Sequence, residues 1–389
     1  EAANEANWRV EDGAIVVDAM ESRRAAEAVK AEFDKITDKP IVAIIYTHNH
    51  YDHVMGAKVF ADENTEIIAH EEFMPAIERS QKELRNAMLS RNIKQFGIVL
   101  TESMHRGAGI GPRLVLDDFG APSQFLPPTK TVGDGRTTMN IAGVELELVH
   151  APGETPDQIY VWLPKQQALL CGDNYYLAFP NLYAIRGTPY RDPRHWADSL
   201  DIMIAEEPEH LIPSHTDPIS GKEEVRQVLT DYRDAIRSII EQTYAGMNAG
   251  MGVEEIVDVV RLPEHLANKP YLQQTYGTVP WSVRAICTGS LGWFDGNATH
   301  LFPLPQVDRA KHMVKLAGGE EALLEQVREA LDNGDNQWAT ELADHLIVLS
   351  EKPGEAHALK AKALVALAAR HTSMNARNYY LSAARELER

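Results

Sequence analysis

The distribution of apolar positions changes character once along this chain. In the first half, short apolar runs alternate with segments in which apolar residues recur every three or four positions. Gly13-Ala-Ile-Val-Val-Asp18 predicts a short strand, and residues 22–36 place Ala25, Ala26, Val29, Phe33 and Ile36 at helical spacing. Asp38-Lys-Pro40 breaks that helix. Ile41-Val-Ala-Ile-Ile-Tyr46 is then a continuous apolar run, the pattern of a strand buried on both faces. Further strands are predicted at Val144–Val149, Ile159–Leu163 and Ala168–Cys171. Residues 100–135 are rich in Gly and Pro and have no period, which predicts long loops.

After Pro218 the strand texture stops. Ser220-Gly-Lys-Glu223 has the pattern of a capping box and opens a helix with Val225, Val228, Leu229, Tyr232, Ile236 and Ile239 along one face. Residues 253–261 and 319–389 are helical by period, with breaks at Asn333-Gly334 and Pro353-Gly354, and residues 336–386 are similar to a tetratricopeptide (TPR) helix pair. The expected division is an α/β catalytic part over residues 1–219 and an all-α part over residues 220–389.

Composition narrows the function classes. With 389 residues, 44% hydrophobic and 24% charged, the chain has the proportions of a globular protein with a real core. No apolar run approaches the ~20 residues needed to cross a bilayer, so no membrane span is expected. A net charge of −19 without a basic face excludes nucleic acid as a partner. Cys171 and Cys287 are expected to be buried free thiols rather than a disulfide. The chain begins at Glu1, which is compatible with a removed secretory signal. A periplasmic or secreted location is favoured over a cytoplasmic one, and localisation otherwise stays open.

The chemistry concentrates directly after the buried strand, in Thr47-His48-Asn49-His50-Tyr51-Asp52-His53. Four side chains able to bind a metal lie on one tight turn, His48 and His50 facing one ion and Asp52 and His53 reaching a second. Imidazole and carboxylate donors without thiolate suit zinc, and also iron or manganese.

This H-x-H-x-D-H pattern after a strand resembles the metallo-β-lactamase superfamily, over about residues 8–220. The resemblance implies an αβ/βα sandwich and three further metal ligands downstream: Glu154 in His150-Ala-Pro-Gly-Glu154, the bridging carboxylate Asp173 in Cys171-Gly-Asp173, and His215 in Pro213-Ser-His215. Most of the superfamily has His where Glu154 stands, whereas the zinc-dependent alkyl sulfatases have Glu. The likeness to those sulfatases extends through Arg186-Gly-Thr-Pro-Tyr-Arg-Asp192, Tyr276-Gly-Thr-Val and Leu291-Gly-Trp-Phe-Asp-Gly-Asn297 to Trp338–His345 and Asn378–Arg385, nearly the whole chain. It implies two zinc ions per chain, hydrolysis of an alkyl sulfate ester to alcohol and sulfate, and a helical, TPR-like dimerisation domain that makes a homodimer.

On this reading Asp52, Asp173 and Arg186 form the catalytic set, and Arg186 grips the sulfate through its planar fork of donors. Asp157 is expected either to orient a ligand imidazole or to cap a helix. His105, His150 and His300 are expected to be structural, and Trp293 and Phe294 to be core of the helical part. A Glu154→His chain is expected to retain its metals. The departures are Asp173 in place of the family's usual Glu, Tyr175–Asn181 in place of a His-rich stretch, and the absence of a His-Asn pair around Pro280-Trp281-Ser282. They leave open another hydrolysis on the same metals, of a phosphoester, a lactone or a β-lactam, and either sulfur or carbon as the atom attacked.

Overall fold

The computed structural model describes residues 6–10, 13–117, 121–349 and 354–388. These form two compact units, one of residues 1–88 and 110–290, the other of residues 89–109 and 291–389. The units do not divide at 219/220: the helices between 222 and 290 belong with the sheets, and the segment 89–109 belongs with the C-terminal helices.

The first unit is a two-sheet sandwich. One sheet has the order β1 (Ala6–Val10), β2 (Gly13–Val17), β3 (Ile41–Ile45), β4 (Glu66–His70) and β5 (Lys130–Val132), parallel except for the β1–β2 pair. The other contains β6 (Arg136–Ile141), β7 (Val144–His150), β8 (Ile159–Leu163), β9 (Ala168–Gly172), β10 (His210–Pro213) and β11 (Ile219–Ser220) in consecutive order, antiparallel except between β9 and β10. β5 falls inside the stretch expected to be all loop; three residues suffice there because it only edges the sheet beside β4.

Strand alternation sorts the apolar side chains. Ile15, Val17, Ala43, Ile45 and Ile68 point inward and meet Leu146, Leu148, Ile159, Val161, Leu163 and Leu170 from the second sheet. Val16, Ile44, Tyr46, Ile67 and Ala69 point outward and are covered by Ala26, Val54, Ala57, Phe60, Phe73 and Ile77 from helices. Both faces of the first sheet are therefore apolar, which is why β3 reads as an unbroken hydrophobic run.

The helix Lys222–Asn248 forms as expected, with Val225, Val228, Leu229, Tyr232, Ile236 and Ile239 buried. Its start differs. The preceding Gly221, at φ 112°, gives no side-chain cap, because Ser220 ends β11 and its Oγ lies 2.9 Å from His210 Nδ1. Cys171 and Cys287 are buried free thiols.

In the second unit, the helices Glu320–Asp332, Asn336–Ile347 and Glu355–Arg370 bury Leu323, Val327, Leu342, Leu346 and Leu359 against one another. The helix Met374–Leu387 follows, and its Leu381 packs with Ala368 and with Leu100 from the 89–109 segment. Trp293 is not core: it is 72% exposed, and Phe294 is only half-buried beside it.

Candidate metal centre

Five strand ends supply the site. Asp18 follows β2, the His48–His53 turn follows β3, Glu154 lies in the turn after β7, Asp173 follows β9, and His215 follows β10. Loops at strand carboxyl ends are exposed to ligands, while the paired strands fix their origins. The approach between loops is close. A Cβ at Gly153 would stand 1.9 Å from Asn174 Oδ1, and one at Gly172, whose φ is 55°, would stand 2.7 Å from Thr47 Oγ1.

The donors converge. His215 Nε2 lies 3.2 Å from Asp52 Oδ2 and 3.3 Å from Asp173 Oδ2, and His53 Nε2 lies 3.6 Å and 3.5 Å from the same two atoms. His48 Nε2 is 3.9 Å from Asp173 Oδ2. Metal–ligand bonds of ~2.0–2.1 Å in a tetrahedron imply ligand–ligand edges of about 3.3–3.4 Å, so these spacings fit a shared cation. Three overlapping groups have this character: His48–His53–Asp173, Asp52–His53–His215 and His50–Glu154–Asp173. His53 Nε2, His215 Nε2 and Asp173 Oδ1 are buried without a hydrogen-bond partner. Such atoms are costly to leave unpaired, and metal ligation is one way in which buried groups of this kind are satisfied.

An outer layer fixes the rings. Asp18 is fully buried and its backbone lies in the left-handed region, at φ 65°. Its carboxylate accepts from Thr47 N (2.7 Å), Thr47 Oγ1 (2.9 Å) and Ser214 Oγ (3.2 Å), and lies 2.7 Å from His53 Nδ1. His53 therefore carries a proton on Nδ1 and turns Nε2 inward toward Asp52 and Asp173. The same relay reaches His48, whose Nδ1 is 3.0 Å from Thr47 Oγ1.

Charge is concentrated accordingly. Burial pushes His215 toward its neutral form, yet Asp173 and Asp52 outweigh it and raise its pKa to about 10. Burial likewise opposes ionisation of Asp173, but His215 and His53 hold its pKa well below the usual carboxylate range.

All seven residues expected as ligands, His48, His50, Asp52, His53, Glu154, Asp173 and His215, lie in this one region. Arg186 is buried beside them, its Nη2 2.8 Å from His50 Nε2. Asp157 neither orients a ligand ring nor caps a helix: it accepts from Asn49 Nδ2 at 2.5 Å, which ties the His48–His53 turn to the Glu154 loop. His105 and His150 have backbone partners, the carbonyls of Phe96 (3.0 Å) and Pro156 (2.7 Å), and His300 lies 2.5 Å from Asp295. Two supporting residues escaped the sequence reading. Asp18 signals itself only as an acid closing an apolar strand. Arg191, which bonds Glu154 inside the protein, is one more arginine in its segment until the fold pairs them.

A two-sheet sandwich with buried imidazoles and carboxylates at its strand ends defines the metal-dependent hydrolases of the metallo-β-lactamase superfamily, and residues 8–215 match that superfamily. Residues 252–389 match the alkyl sulfatase dimerisation family. The chain is 38% identical over 387 residues to the linear primary-alkylsulfatase of Pseudomonas sp. (strain ATCC 19151), spanning 97% of this chain and 72% of that one. It is 30% identical to an (R)-specific secondary-alkylsulfatase of Pseudomonas sp., spanning 97% of this chain and 58% of that one. The structure of the stereoselective inverting sec-alkylsulfatase Pisa1 from Pseudomonas sp. superposes with a TM-score of 0.92 at 29% identity, over 98% of this chain and 62% of that one. The chain belongs to the alkyl sulfatase family. Membership implies bound metal, and the helical match implies self-association. No helix of the described residues is long and apolar enough to cross a membrane.

Proposed function

We propose that this chain is a binuclear zinc alkylsulfatase, converting R–O–SO₃⁻ and water to R–OH and sulfate with release of a proton. The observation that carries it is the shared cluster of Asp52, Asp173, His53 and His215 with a buried arginine, Arg186, at its side. His48, His50 and Glu154 with Asp173 would hold one ion, and Asp52, His53 and His215 with Asp173 the other, and a bound pair of zinc ions supplies hydroxide at neutral pH.

The chain's own residues do the rest. Asp173 lies within reach of both imidazole groups and ties the two ligand sets together. Asp18 holds the His53 ring in the tautomer that faces inward. Arg186 offers two parallel donors to paired sulfate oxygens, the geometry an anionic ester requires. Its charge also offsets the negative charge of the departing sulfate.

Turnover of primary and secondary alkyl sulfates by zinc-loaded protein, measured beside p-nitrophenyl phosphate and nitrocefin, tests this reading. Hydrolysis of the sulfates alone is expected; equal or faster turnover of phosphate or β-lactam would overturn it.

A homodimer is part of the proposal. Leu291, Trp293, Phe302, Leu304 and Leu316 are 54–94% exposed, an apolar set that a monomer leaves in water. Light scattering at micromolar concentration should give twice the chain mass.

A further inference from the structure

Glu154 stands where most of the superfamily has His, and it has a buried cation beside it. The Arg191 side chain is 2% exposed and that of Glu154 1%. Arg191 Nη1 donates to Glu154 Oε1 and, at 2.7 Å, to the carbonyl of Asn181. Its Nε lies 3.4 Å from Thr188 Oγ1, and its Nη2 is buried without a hydrogen-bond partner. The anchor is rigid: Asn181 N–H donates to the fully buried Tyr176 hydroxyl (2.7 Å), and Asp192, next in the chain, caps the helix Pro193–Ala205. Among the described residues, Glu154 is the anion hydrogen-bonded to this guanidinium.

We infer that Arg191 is a positioning residue which fixes Glu154 through Oε1, turns Oε2 toward the metal, and makes a carboxylate obligatory at position 154. The inference rests on the proposed metal centre. A carboxylate has a second oxygen to give: with Oε1 committed to Arg191, Oε2 remains for the group shared with His50 and Asp173. An imidazole has no second acceptor of this kind. A ring donating its bare nitrogen to the metal turns an N–H toward Arg191, which is itself only a donor. The guanidinium is then buried without a counter-charge, an arrangement more damaging than losing both partners. Glu154 and Arg191 are thus one unit, and on this inference Glu154→His weakens metal binding rather than retaining both metals.

The test is a double-mutant cycle read by zinc content after dialysis and by competition with a chromophoric chelator. Wild type, Arg191→Met, Arg191→Lys, Glu154→His and the Glu154→His/Arg191→Met double variant are compared, with circular-dichroism melts of the metal-free proteins to record folding. Arg191→Met should weaken binding of one zinc about 10–100-fold, Arg191→Lys less, and Glu154→His at least as much as Arg191→Met. Removing the guanidinium should then strengthen binding about tenfold when Glu154→His is already present, a reversal of sign that general loss of packing does not produce. Should Arg191→Met fail to fold, Arg191→Lys and Glu154→His still decide: wild-type zinc affinity in both overturns the inference. A cycle in which Arg191→Met weakens zinc equally in both backgrounds also overturns it. Wild-type protein that binds no zinc would remove the metal centre and this inference with it, whereas two tightly held zinc ions throughout would remove the inference alone.

Discussion

Among the described residues, two clusters of histidine and carboxylate lie in the sandwich unit, and they differ in almost everything but composition. In the Asp52–Asp173 cluster, His53 Nε2 and His215 Nε2 are buried and converge on the same two carboxylate oxygens. In the other, His70 Nε2 is 3.4 Å and His150 Nδ1 3.0 Å from Asp134 Oδ1. By distance alone that trio also qualifies as a metal site. Its rings, however, are stacked at 14° with centroids 4.1 Å apart. Nitrogen lone pairs lie in the ring plane, and nearly parallel planes have no nearby point in common for one ion. His70 Nδ1 also accepts from the Glu72 N–H (3.2 Å), which leaves the proton on Nε2, the atom a metal would need bare. Asp134 is 82% exposed, so its pairing is screened. Proximity does not make a metal site; lone-pair direction and exclusion of water do.

The strongest test of this contrast is Asp173→Ala. Removing the carboxylate between both ligand sets should abolish metal retention and reduce turnover beyond the ~10–100-fold that loss of an outer partner costs, by elemental analysis and kcat. Unchanged zinc content would break the comparison. Arg186→Lys sharpens it from the substrate side: charge persists but the paired donors do not. At about 1.5–3 kcal/mol per charge-assisted bond, kcat/KM should fall roughly 10- to 150-fold with zinc unchanged.

A third test uses the proton. The His215 pKa is raised from its ordinary 6.5 to about 10, so the metal-free chain keeps that proton at neutral pH. This raised pKa stabilises the metal-free fold fully below pH 6.5, an advantage lost as pH climbs through 10. Zinc must displace the proton, so calorimetry in buffers of different ionisation enthalpy should show proton release at pH 7, and affinity should rise with pH. The smallest effect belongs to the second cluster. Asp134→Asn removes an exposed partner, so stability should change by no more than ~1 kcal/mol and zinc content not at all. Loss of a metal ion on that substitution would show that both clusters bind.

The sequence by itself determined the elements that obey a local rule. β3 is legible because a strand covered on both faces must be apolar throughout, and the His48–His53 turn is legible because its four donors fall within six consecutive residues just past the strand. Glu154, Asp173 and His215 became visible only through family resemblance, since nothing local distinguishes them from other polar residues after a strand. Trp293 shows the limit from the other side: an aromatic pair reads as core, yet exposure depends on whether a neighbouring element arrives to cover it.

Only the tertiary structure decided what the outer residues do. Asp18 and His53 are 35 positions apart and bond at 2.7 Å because β2 and β3 are adjacent parallel strands that end side by side. Arg191 and Glu154 meet because the segment after β9 folds back over the turn after β7, joining residues 37 positions apart. His150 separates from the metal set for the same kind of reason, four residues from Glu154 in the chain but turned to the opposite side by its bond to Pro156 and its stack on His70. A strand or a tight turn is fixed by contacts a few residues apart and so leaves its pattern in the sequence. The direction of a lone pair and the burial of a charge are fixed by partners tens of residues away, which no local pattern records.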